Sequence, residues 1–416
     1  MKTLFDTVAE FISGDWGADI ESVEAPVLAH CIRAADVEPI EAHNYTTIPT
    51  RYLSRKSFTQ RQLKFGDIVI EKSGGSPTQS TGRVVYISHA LLSAKTNLVC
   101  SNFCTAIRLK REWHPYFVFQ YWRQVYNAKV FFNYEGKTSG LKNLQLETAM
   151  KSIPIPKIDP PTQLRIAGLL GSLDEKIELN RRKIAELEAL AKTIYDYWFV
   201  QFDFPNKNGR PYKSSGGKMI WNSQLKREVP EGWDVINLPQ IATYLFGFPF
   251  DSSLFNTEGN GFPIVRIRNV KDGQTKDYTK EVADTSYIIS NGDFLIGMDG
   301  YFDMNHWIGG NAYLVQRTCR VKAKNAFYDG WLSLALIAPI KHLESSLSGA
   351  TLAHLGKKHL DEIRFPLPPV KETSAALALI NNVISRKVEL GLENQKLTQQ
   401  RDELLPLLMN GQVVVK

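Results

Sequence analysis

The chain has 416 residues, of which 43% are apolar and 22% charged. This composition predicts two or three globular domains and excludes disordered and fibrous classes. The net charge is +7, and residues 51–142 hold fifteen Lys and Arg against four Asp and Glu, whereas residues 1–50 hold two against nine. Such a basic segment is typical of a phosphate-binding face, and an ordinary solvated surface is the alternative. With no apolar leader after Met1 and no run of about 18 apolar residues, we expect a cytosolic protein without membrane association.

Short β-branched runs bounded by Gly, Asn and Ser predict strands at 67–71 and 83–88, and residues 113–126 favour a helix. A long helix is predicted after Asp159-Pro160-Pro161, an N-cap followed by proline at the opening position. It has no further proline from 162 to 198, a length of roughly 55 Å at ~1.5 Å per residue.

This helix carries apolar residues spaced alternately by four and three, the seam of a left-handed coiled coil. We expect Asn180 to be buried in this seam and to fix its register, or to lie at a solvated edge. The seam that we expect to pack against another helix and to dock partners comprises Ile166, Leu170, Leu173, Ile177, Asn180, Ile184, Leu187 and Ile194.

Residues 202–228 are polar and rich in turn-forming residues, which predicts a linker. Beyond it, strands are predicted at 293–297 and 311–316 and a helix at 328–338. A second long helix closes the chain with a less regular apolar seam from Ile380 to Leu408, and Pro406 is expected to disturb its last turn.

The two halves of the chain repeat each other, since five short segments recur in the same order. A period of 210–233 residues is too long for a solenoid and indicates two tandem domains, each followed by a helix. The matched pairs are 8–14 with 241–247, 32–37 with 265–270, 65–70 with 291–296, 153–156 with 365–368, and 176–180 with 387–391.

The predicted fold class is therefore α+β, with two mixed α/β domains in tandem repeat separated by two long antiparallel coiled-coil helices with pseudo-two-fold symmetry. The expected boundaries are a first domain at 1–157, a helix at 158–201, the linker at 202–228, a second domain at 229–368 and a helix at 369–416.

Catalytic and metal-binding motifs are weak. Cys31, Cys100, Cys104 and Cys319 form no C-x-x-C pair, so we expect buried strand cysteines rather than a zinc site. Asp159-Pro160-Pro161-Thr162 approaches an amino-methyltransferase motif, but Thr162 cannot stack on a flipped base. No glycine-rich turn suitable for S-adenosylmethionine follows a strand. We therefore expect no catalytic residues, no metal and no cofactor in this chain.

Several loop residues have the chemistry to bind DNA. Glycines after a strand let backbone amides approach phosphates, and Arg and Asn match guanine and adenine edges. An ordinary hairpin loop and structural salt bridges are the alternatives. The candidates in the first half are Arg33, Lys72, Ser73, Gly74 and Gly75, with Lys142 and Asn143 of the loop 140–143 that precedes the first long helix. In the second half they are Arg266, Arg268, Asn269, Asp299 and Tyr301, with the loop 348–351 before the second long helix.

Four segments lie around the first long helix: Pro154-x-Pro156, Arg165-Ile166-Ala167, Leu173 to Asn180 and Phe199-Val200-x-Phe202. A fifth, Val229-Pro230-Glu231-Gly232-Trp233, follows the predicted linker. The four resemble the central region of type I restriction-modification specificity subunits, and the fifth resembles the opening of the target recognition domains of those subunits. Gly66-Asp67-Ile68 and Gly292-Asp293-Phe294 resemble a strand of those domains. The resemblance covers nearly the whole chain, but no Pro-x-Gly-Trp segment precedes Val8.

The resemblance implies a non-catalytic DNA-binding subunit in which each domain reads one half of an asymmetric bipartite site. Its implied partners are double-stranded DNA, two methyltransferase subunits docked on the helices, and ATP-driven restriction subunits. S-adenosylmethionine, ATP and Mg²⁺ would belong to those partners. Alternatives are a stand-alone DNA-binding regulator, a coiled-coil scaffold without a nucleic-acid role, and a self-contained methyltransferase, which the missing cofactor motif disfavours.

Overall fold

The computed structural model describes residues 2–74, 76, 79–137, 142–347, 353–413 and 415. The chain divides into two units, of which unit 1 comprises Met1–Glu178 with Lys396–Lys416 and unit 2 comprises Leu179–Gln395. Each unit therefore contains a mixed α/β domain and a part of each long helix.

The described residues of unit 1 form three sheets. Its strands are β1 (Val8–Ser13), β2 (Val27–Ile32), β3 (Thr50–Leu53), β4 (Ile68–Glu71), β5 (Ser73–Gly74), β6 (Val84–Tyr86), β7 (Leu98–Cys100), β8 (Cys104–Leu109), β9 (Glu135–Lys137) and β10 (Lys142–Leu144). Their orders are β1-β8-β4-β6, β3-β2-β7 and β5-β10-β9. Its helices are α1 (Val37–Glu41), α2 (Arg55–Arg61), α3 (His89–Ala94), α4 (Pro115–Asn127), α5 (Leu146–Ser152) and the first part of α6 (Pro160–Tyr195).

The described part of unit 2 contains more strands than that of unit 1. Its strands are β11 (Met219–Asn222), β12 (Arg227–Pro230), β13 (Asp234–Asn237), β14 (Ala242–Phe246), β15 (Phe255–Asn256), β16 (Phe262–Val265), β17 (Tyr278–Thr279), β18 (Ile288–Ile289), β19 (Phe294–Gly297), β20 (Met304–His306), β21 (Ala312–Leu314), β22 (Thr318–Ala323) and β23 (Arg364–Leu367). Its helices are α7 (Leu238–Ile241), α8 (Ile267–Val270), α9 (Asp329–Ala335), α10 (Ile337–Leu347), α11 (Lys357–Glu362) and most of α12 (Val370–Met409).

The two units share one topology, which confirms the predicted tandem repeat. The antiparallel sheet β14-β22-β19-β20 of unit 2 repeats the sheet β1-β8-β4-β6 of unit 1. In the adjoining sheets, β16 pairs in parallel with β21 as β2 pairs in parallel with β7. The predicted strands at 67–71, 83–88, 293–297 and 311–316 correspond to β4, β6, β19 and β21. The mixed α/β class is therefore confirmed for both halves.

The repeated Gly-Asp motif has a structural role in each unit. Gly66 and Gly292 have φ of +86° and +91°, a left-handed conformation that favours glycine. The carboxylates of Asp67 and Asp293 accept a hydrogen bond from the backbone amide three residues earlier, at 2.7 and 2.9 Å. The motif thus builds the turn that starts β4 and β19.

The predicted first long helix is present as α6. It begins at Pro160, and the carboxylate of Asp159 accepts a hydrogen bond from the Thr162 amide at 3.0 Å, which is the expected N-cap. A single π-helical turn, Asp196–Val200, follows it. The second long helix, α12, continues through Pro406 to Met409, so the proline lies inside the helix.

In unit 1, the start of α6 packs against the end of α12. Ile166 and Leu170 are buried in one apolar cluster with Leu405 and Leu408. One turn after Leu170 along α6, Asp174 accepts a hydrogen bond from Arg401 Nη1 at 2.8 Å. Early residues of α6 meet late residues of α12, so the two segments are antiparallel.

In unit 2, the later part of α6 packs against the earlier part of α12. Asn180 Nδ2 donates to Glu393 Oε2 at 2.8 Å, and Lys387 Nζ lies 2.7 Å from Glu188 Oε1. Partner numbers fall along α12 as they rise along α6, which again indicates antiparallel packing. Asn180 is fully buried, as expected for a polar seam residue.

The segment 202–228, expected to be a linker, is itself folded. Its end forms the hairpin of β11 with β12. Phe202 and Phe204 are buried, with ring centroids 5.4 and 5.1 Å from that of Trp233. These aromatic side chains attach the segment to the core of unit 2.

Candidate nucleic-acid interface

Three loop segments of unit 1 meet just beyond the end of β4. Two of them hold the predicted candidates Ser73 and Asn143, and the third holds Phe103. The Lys72 amide donates to the Phe103 carbonyl at 2.8 Å, and the Leu144 amide donates to the Lys72 carbonyl at 2.8 Å. Strand pairing sets Ser73 opposite Asn143, and the Ser73 hydroxyl donates to the Asn143 side-chain oxygen. We call Ser73, Phe103 and Asn143 the first loop cluster.

The backbone conformation next to Ser73 in this cluster requires glycine. Gly74 has a φ of +146°, and a Cβ there would lie 2.6 Å from Glu71 Oε1. The Glu71 side chain is fully buried and forms two hydrogen bonds with Arg83, at 2.8 and 2.9 Å. This buried ion pair therefore fixes the base of the loop. Gly75 lies outside the described residues.

The two predicted lysines at this site differ in their partners. Lys142 Nζ lies 3.0 Å from Glu135 Oε2 and 4.7 Å from the centre of the Phe132 ring. Lys72 forms no ion pair among the described residues. Its charge is therefore the less neutralised of the two and the better suited to a phosphate.

Arg33 and Ser73 line the same open pocket of about 380 Å³, together with Trp16, Asn102 and Phe103. The pocket brings together candidate residues that are forty positions apart in the sequence. Phe103 is 56% exposed, so its ring is available for an apolar or stacking contact.

Arg33 nevertheless has a structural role. Its Nε and Nη2 donate to the buried Asp36 carboxylate at 3.0 and 2.9 Å, and Nη2 also donates to the Thr47 carbonyl at 2.8 Å. The hydrogen bond with Asp36 raises the pKa of the guanidinium. This is the structural salt bridge that the sequence analysis gave as the alternative to a DNA contact.

Its counterpart in unit 2, Arg266, has different surroundings. The residue equivalent to Asp36 is Asn269, whose side-chain oxygen accepts from the Arg266 amide at 2.8 Å. The Arg266 guanidinium lies 5.3 Å from the centre of the Phe255 ring and forms no ion pair among the residues that the structure describes. Arg268 forms an ion pair with the buried Asp277 at 2.5 Å. Of these three candidates, Arg266 is the least neutralised.

Unit 2 repeats the loop arrangement with other side chains. The Met298 amide donates to the Arg317 carbonyl at 2.9 Å, and the Leu355 amide donates to the Met298 carbonyl at 2.8 Å. An isolated bridge sets Asp299 opposite His354. We call Asp299, Arg317 and His354 the second loop cluster.

The second loop cluster is exposed and ionic. His354 Nδ1 lies 2.6 Å from Asp299 Oδ1, and Arg317 Nε lies 3.4 Å from Asp299 Oδ2. The side chains of Arg317 and His354 are 54% and 47% exposed. Nearby, Tyr301 is 79% exposed, consistent with a surface available to a ligand.

Three members of these clusters were absent from the sequence-based candidates: Phe103, Arg317 and His354. The repeat could have indicated them, but the candidate loop chosen before the second helix was 348–351, whereas the strand pairing makes His354 the equivalent of Asn143. Residues 348–351, with Gly140 and Leu141, lie outside the described residues.

The basic segment 51–142 is partly neutralised. Arg51, Arg83, Arg108 and Arg123 form ion pairs with Asp19, Glu38, Glu10 and Glu41, which all belong to the acidic segment 1–50. The local excess of positive charge in the sequence is therefore smaller on the folded surface.

The cysteines lie buried in strands, as predicted: Cys31 in β2, Cys100 in β7, Cys104 in β8 and Cys319 in β22. Burial raises the pKa of the Cys31 and Cys319 thiols to about 12 and that of Cys104 to about 11. Within the described residues, no cluster of His, Cys, Asp and Glu could hold a metal ion, and no helix is long and apolar enough to span a bilayer.

The predicted seam side chains face the interior of each unit. Ile166, Leu170 and Ile177 are at most 4% exposed, and Ile194 packs against the core of unit 2. Leu173, Ile184 and Leu187 are half-buried. The buried members hold the helices in place, so a partner surface on these helices would have to use other side chains.

Comparison with known proteins agrees with this architecture. The family described as type I restriction modification DNA specificity domain matches residues 44–189 and 230–399. A specificity subunit of the type I restriction enzyme MjaIX from Methanocaldococcus jannaschii is 23% identical over 406 residues, covering 91% of this chain and 87% of that protein. The EcoBI specificity subunit from Escherichia coli is 29% identical over 182 residues, covering 44% of this chain and 37% of that protein.

A crystal structure of a type I restriction-modification S subunit from M. genitalium superposes with a TM-score of 0.59 at 16% identity, covering 98% of this chain and 95% of that one. This likeness supports the fold, and the family match extends over most of the sequence in two successive regions. The chain therefore belongs to the family of type I restriction-modification specificity subunits.

Proposed function

We propose that this chain binds double-stranded DNA and that each unit reads one half of a bipartite site. The observation that carries the proposal is the repeated loop cluster. The same backbone arrangement presents Ser73, Phe103 and Asn143 in unit 1 and Asp299, Arg317 and His354 in unit 2. A shared backbone arrangement that presents different side chains suits the recognition of two different base sequences.

The recognised site would accordingly be asymmetric. Two identical readers related by symmetry bind a palindrome, whereas these loop clusters differ at every position. In this proposal the chain is not itself a catalyst, and S-adenosylmethionine, ATP and Mg²⁺ act in its partner subunits.

We further propose that two methyltransferase subunits dock on the long helices and that restriction subunits join through them. Support comes from leucines of these helices that point away from the cores. Leu179 and Leu190 of α6 are 39% and 46% exposed, and Leu379 of α12 is 46% exposed. Leu179 and Leu190 are eleven residues apart, about three helical turns, so they lie on one face.

A domain exchange tests the two-reader proposal. Residues 229–365 are replaced by the second recognition domain of another family member, and the chain is expressed with its methyltransferase partners. Methylome sequencing should show a changed second half-site beside an unchanged first one. A change in both half-sites would contradict independent readers. The unexchanged chain, expressed in parallel, is the control.

A further inference from the structure

The two loop clusters share more than a backbone arrangement. In each cluster, the residue two positions after the end of β4 or β19 contacts a side chain of the segment that pairs with it. Ser73 donates a hydrogen bond to the side chain of Asn143, and Asp299 lies within hydrogen-bond distance of His354. The third residue, Phe103 or Arg317, supplies the backbone carbonyl that anchors the loop.

The contact with Asp299 determines which ring nitrogen of His354 carries the hydrogen. At 2.6 Å from a carboxylate oxygen, Nδ1 must carry hydrogen and donate it, because two acceptors would repel each other at this distance. Nε2 of the neutral ring is then an acceptor.

The hydrogen on Nδ1 also prevents His354 from accepting a hydrogen bond from Arg317. Its Nη1 lies 3.1 Å from His354 Nδ1, but a protonated Nδ1 cannot accept a hydrogen bond. This contact therefore does not engage the guanidinium, whose Nε approaches the Asp299 carboxylate at 3.4 Å. With 54% of the side chain exposed, Arg317 can still present its paired donors to a ligand.

We propose that Arg317 and His354 are specificity-determining residues that read base edges in the second half-site, with Asp299 as their positioning residue. This inference rests on the proposed function. The two parallel donors of a guanidinium match O6 and N7 of guanine, so Arg317 selects guanine. His354 Nε2 accepts a hydrogen bond from the exocyclic amino group of adenine or cytosine.

The equivalent places in unit 1 predict a different reading. Phe103 offers an apolar ring suited to the methyl group of thymine, and Asn143 offers an amide suited to adenine. Neither side chain carries a positive charge. The first half-site should therefore lack the guanine that Arg317 reads at the corresponding place.

Variants of Arg317 test this proposal by methylome sequencing of cells that express the chain with its methyltransferase partners. Arg317→Ala should make one guanine of the second half-site degenerate, with a loss of preference of about 10- to 100-fold. Arg317→Gln should shift that position toward adenine, because a side-chain amide matches the adenine edge. The first half-site should be unchanged in both variants.

The matched control is Arg364→Ala. Arg364 is an exposed arginine of unit 2 on β23, where its Nε donates to Asn237 at 3.2 Å. This variant should keep the full motif.

Asp299 is tested by rescue. Asp299→Asn keeps an oxygen that can accept from His354 Nδ1 and should keep the motif, whereas Asp299→Ala should relax the positions read by Arg317 and His354. A merely structural role would show equal losses of thermal stability in the two variants, with no change of motif.

An unchanged guanine in both Arg317 variants, with methylation intact, would overturn the proposal. So would a complete loss of methylation by Arg317→Ala and Arg317→Gln in chains that melt at the wild-type temperature, since relaxed reading should leave methylated sites. Failure of the proposed function has a different signature, namely no bipartite motif with the unaltered chain.

Discussion

Asp174 joins three elements of unit 1, and its removal should destabilise that unit. Its Oδ1 accepts from Arg401 Nη1 of α12 at 2.8 Å, and its Oδ2 accepts from the Tyr116 hydroxyl at 2.5 Å and from Gln120 Nε2 at 2.8 Å, both on α4. Burial, followed by the Asp174 charge, raises the pKa of the Tyr116 hydroxyl. The hydroxyl therefore stays protonated and continues to donate.

The magnitude follows from what remains after Asp174→Ala. Arg401 is only 15% exposed, so its charge loses a partner in a poorly solvated place, and two further donors on α4 are left without their acceptor. Removing one partner of a buried pair costs about 3–5 kcal/mol. Because the Asp174 side chain is 24% exposed and Arg401 keeps Asp402, we expect a loss of about 2–4 kcal/mol in the free energy of unfolding.

Urea denaturation of the full chain measures this loss, and amide hydrogen exchange of peptides from α4 assigns it to unit 1. Asp402→Ala is the matched control, because Asp402 contacts the same arginine at 2.8 Å but is 56% exposed. It should cost less than about 1 kcal/mol. In a double-mutant cycle, Arg401→Ala should cost less in the Asp174→Ala background than in the wild type. Equal losses from the two aspartates, or additive losses in the cycle, would refute the reasoning.

Two further predictions concern unit 2 and the helices. Burial, and secondarily Lys387, lowers the pKa of His306 to about 3, so the unfolded state takes up a proton below about pH 6.5 while the folded state does not. The free energy of unfolding should therefore fall by about 2 kcal/mol between pH 7.5 and 5. Urea titrations should show that His306→Gln removes this loss. An equal dependence of stability on pH in the wild type and the variant would contradict the prediction. The double variant of Leu179 and Leu190 to Ser should weaken capture of the methyltransferase subunit in affinity pull-downs at unchanged stability. The control Val282→Ser, which alters an apolar residue that is 84% exposed and lies outside the long helices, should leave capture unchanged. Equal capture by both variants would count against docking on this face.

Local patterns predicted the regular elements well. Alternating spacings of four and three located α6, and Asp159 with Pro160 located its start, because capping and amphipathicity are properties of neighbouring residues. The ordered repeat predicted two tandem domains of the same mixed α/β class, because recurring residues such as Gly66 and Gly292 are required by the same local turn. The sheet topology itself came only from the structure.

The surface was harder to predict, because its chemistry depends on partners distant in the chain. The basic excess of 51–142 is partly offset by carboxylates of 1–50. The Arg33 guanidinium is held by Asp36, whereas the guanidinium of its counterpart Arg266 lies against the Phe255 ring. His354 emerged as the equivalent of Asn143 only through strand pairing. Whether these loop residues contact DNA stays a prediction.

Methylome sequencing most directly tests the central claim that one chain reads two unlike half-sites. Cells expressing the chain with the proposed methyltransferase subunits are compared with cells lacking only this chain. The account predicts methyladenine on an asymmetric motif of two short sequences separated by a fixed gap, present only when the chain is expressed. A methylated palindrome, or a single continuous motif, would contradict it.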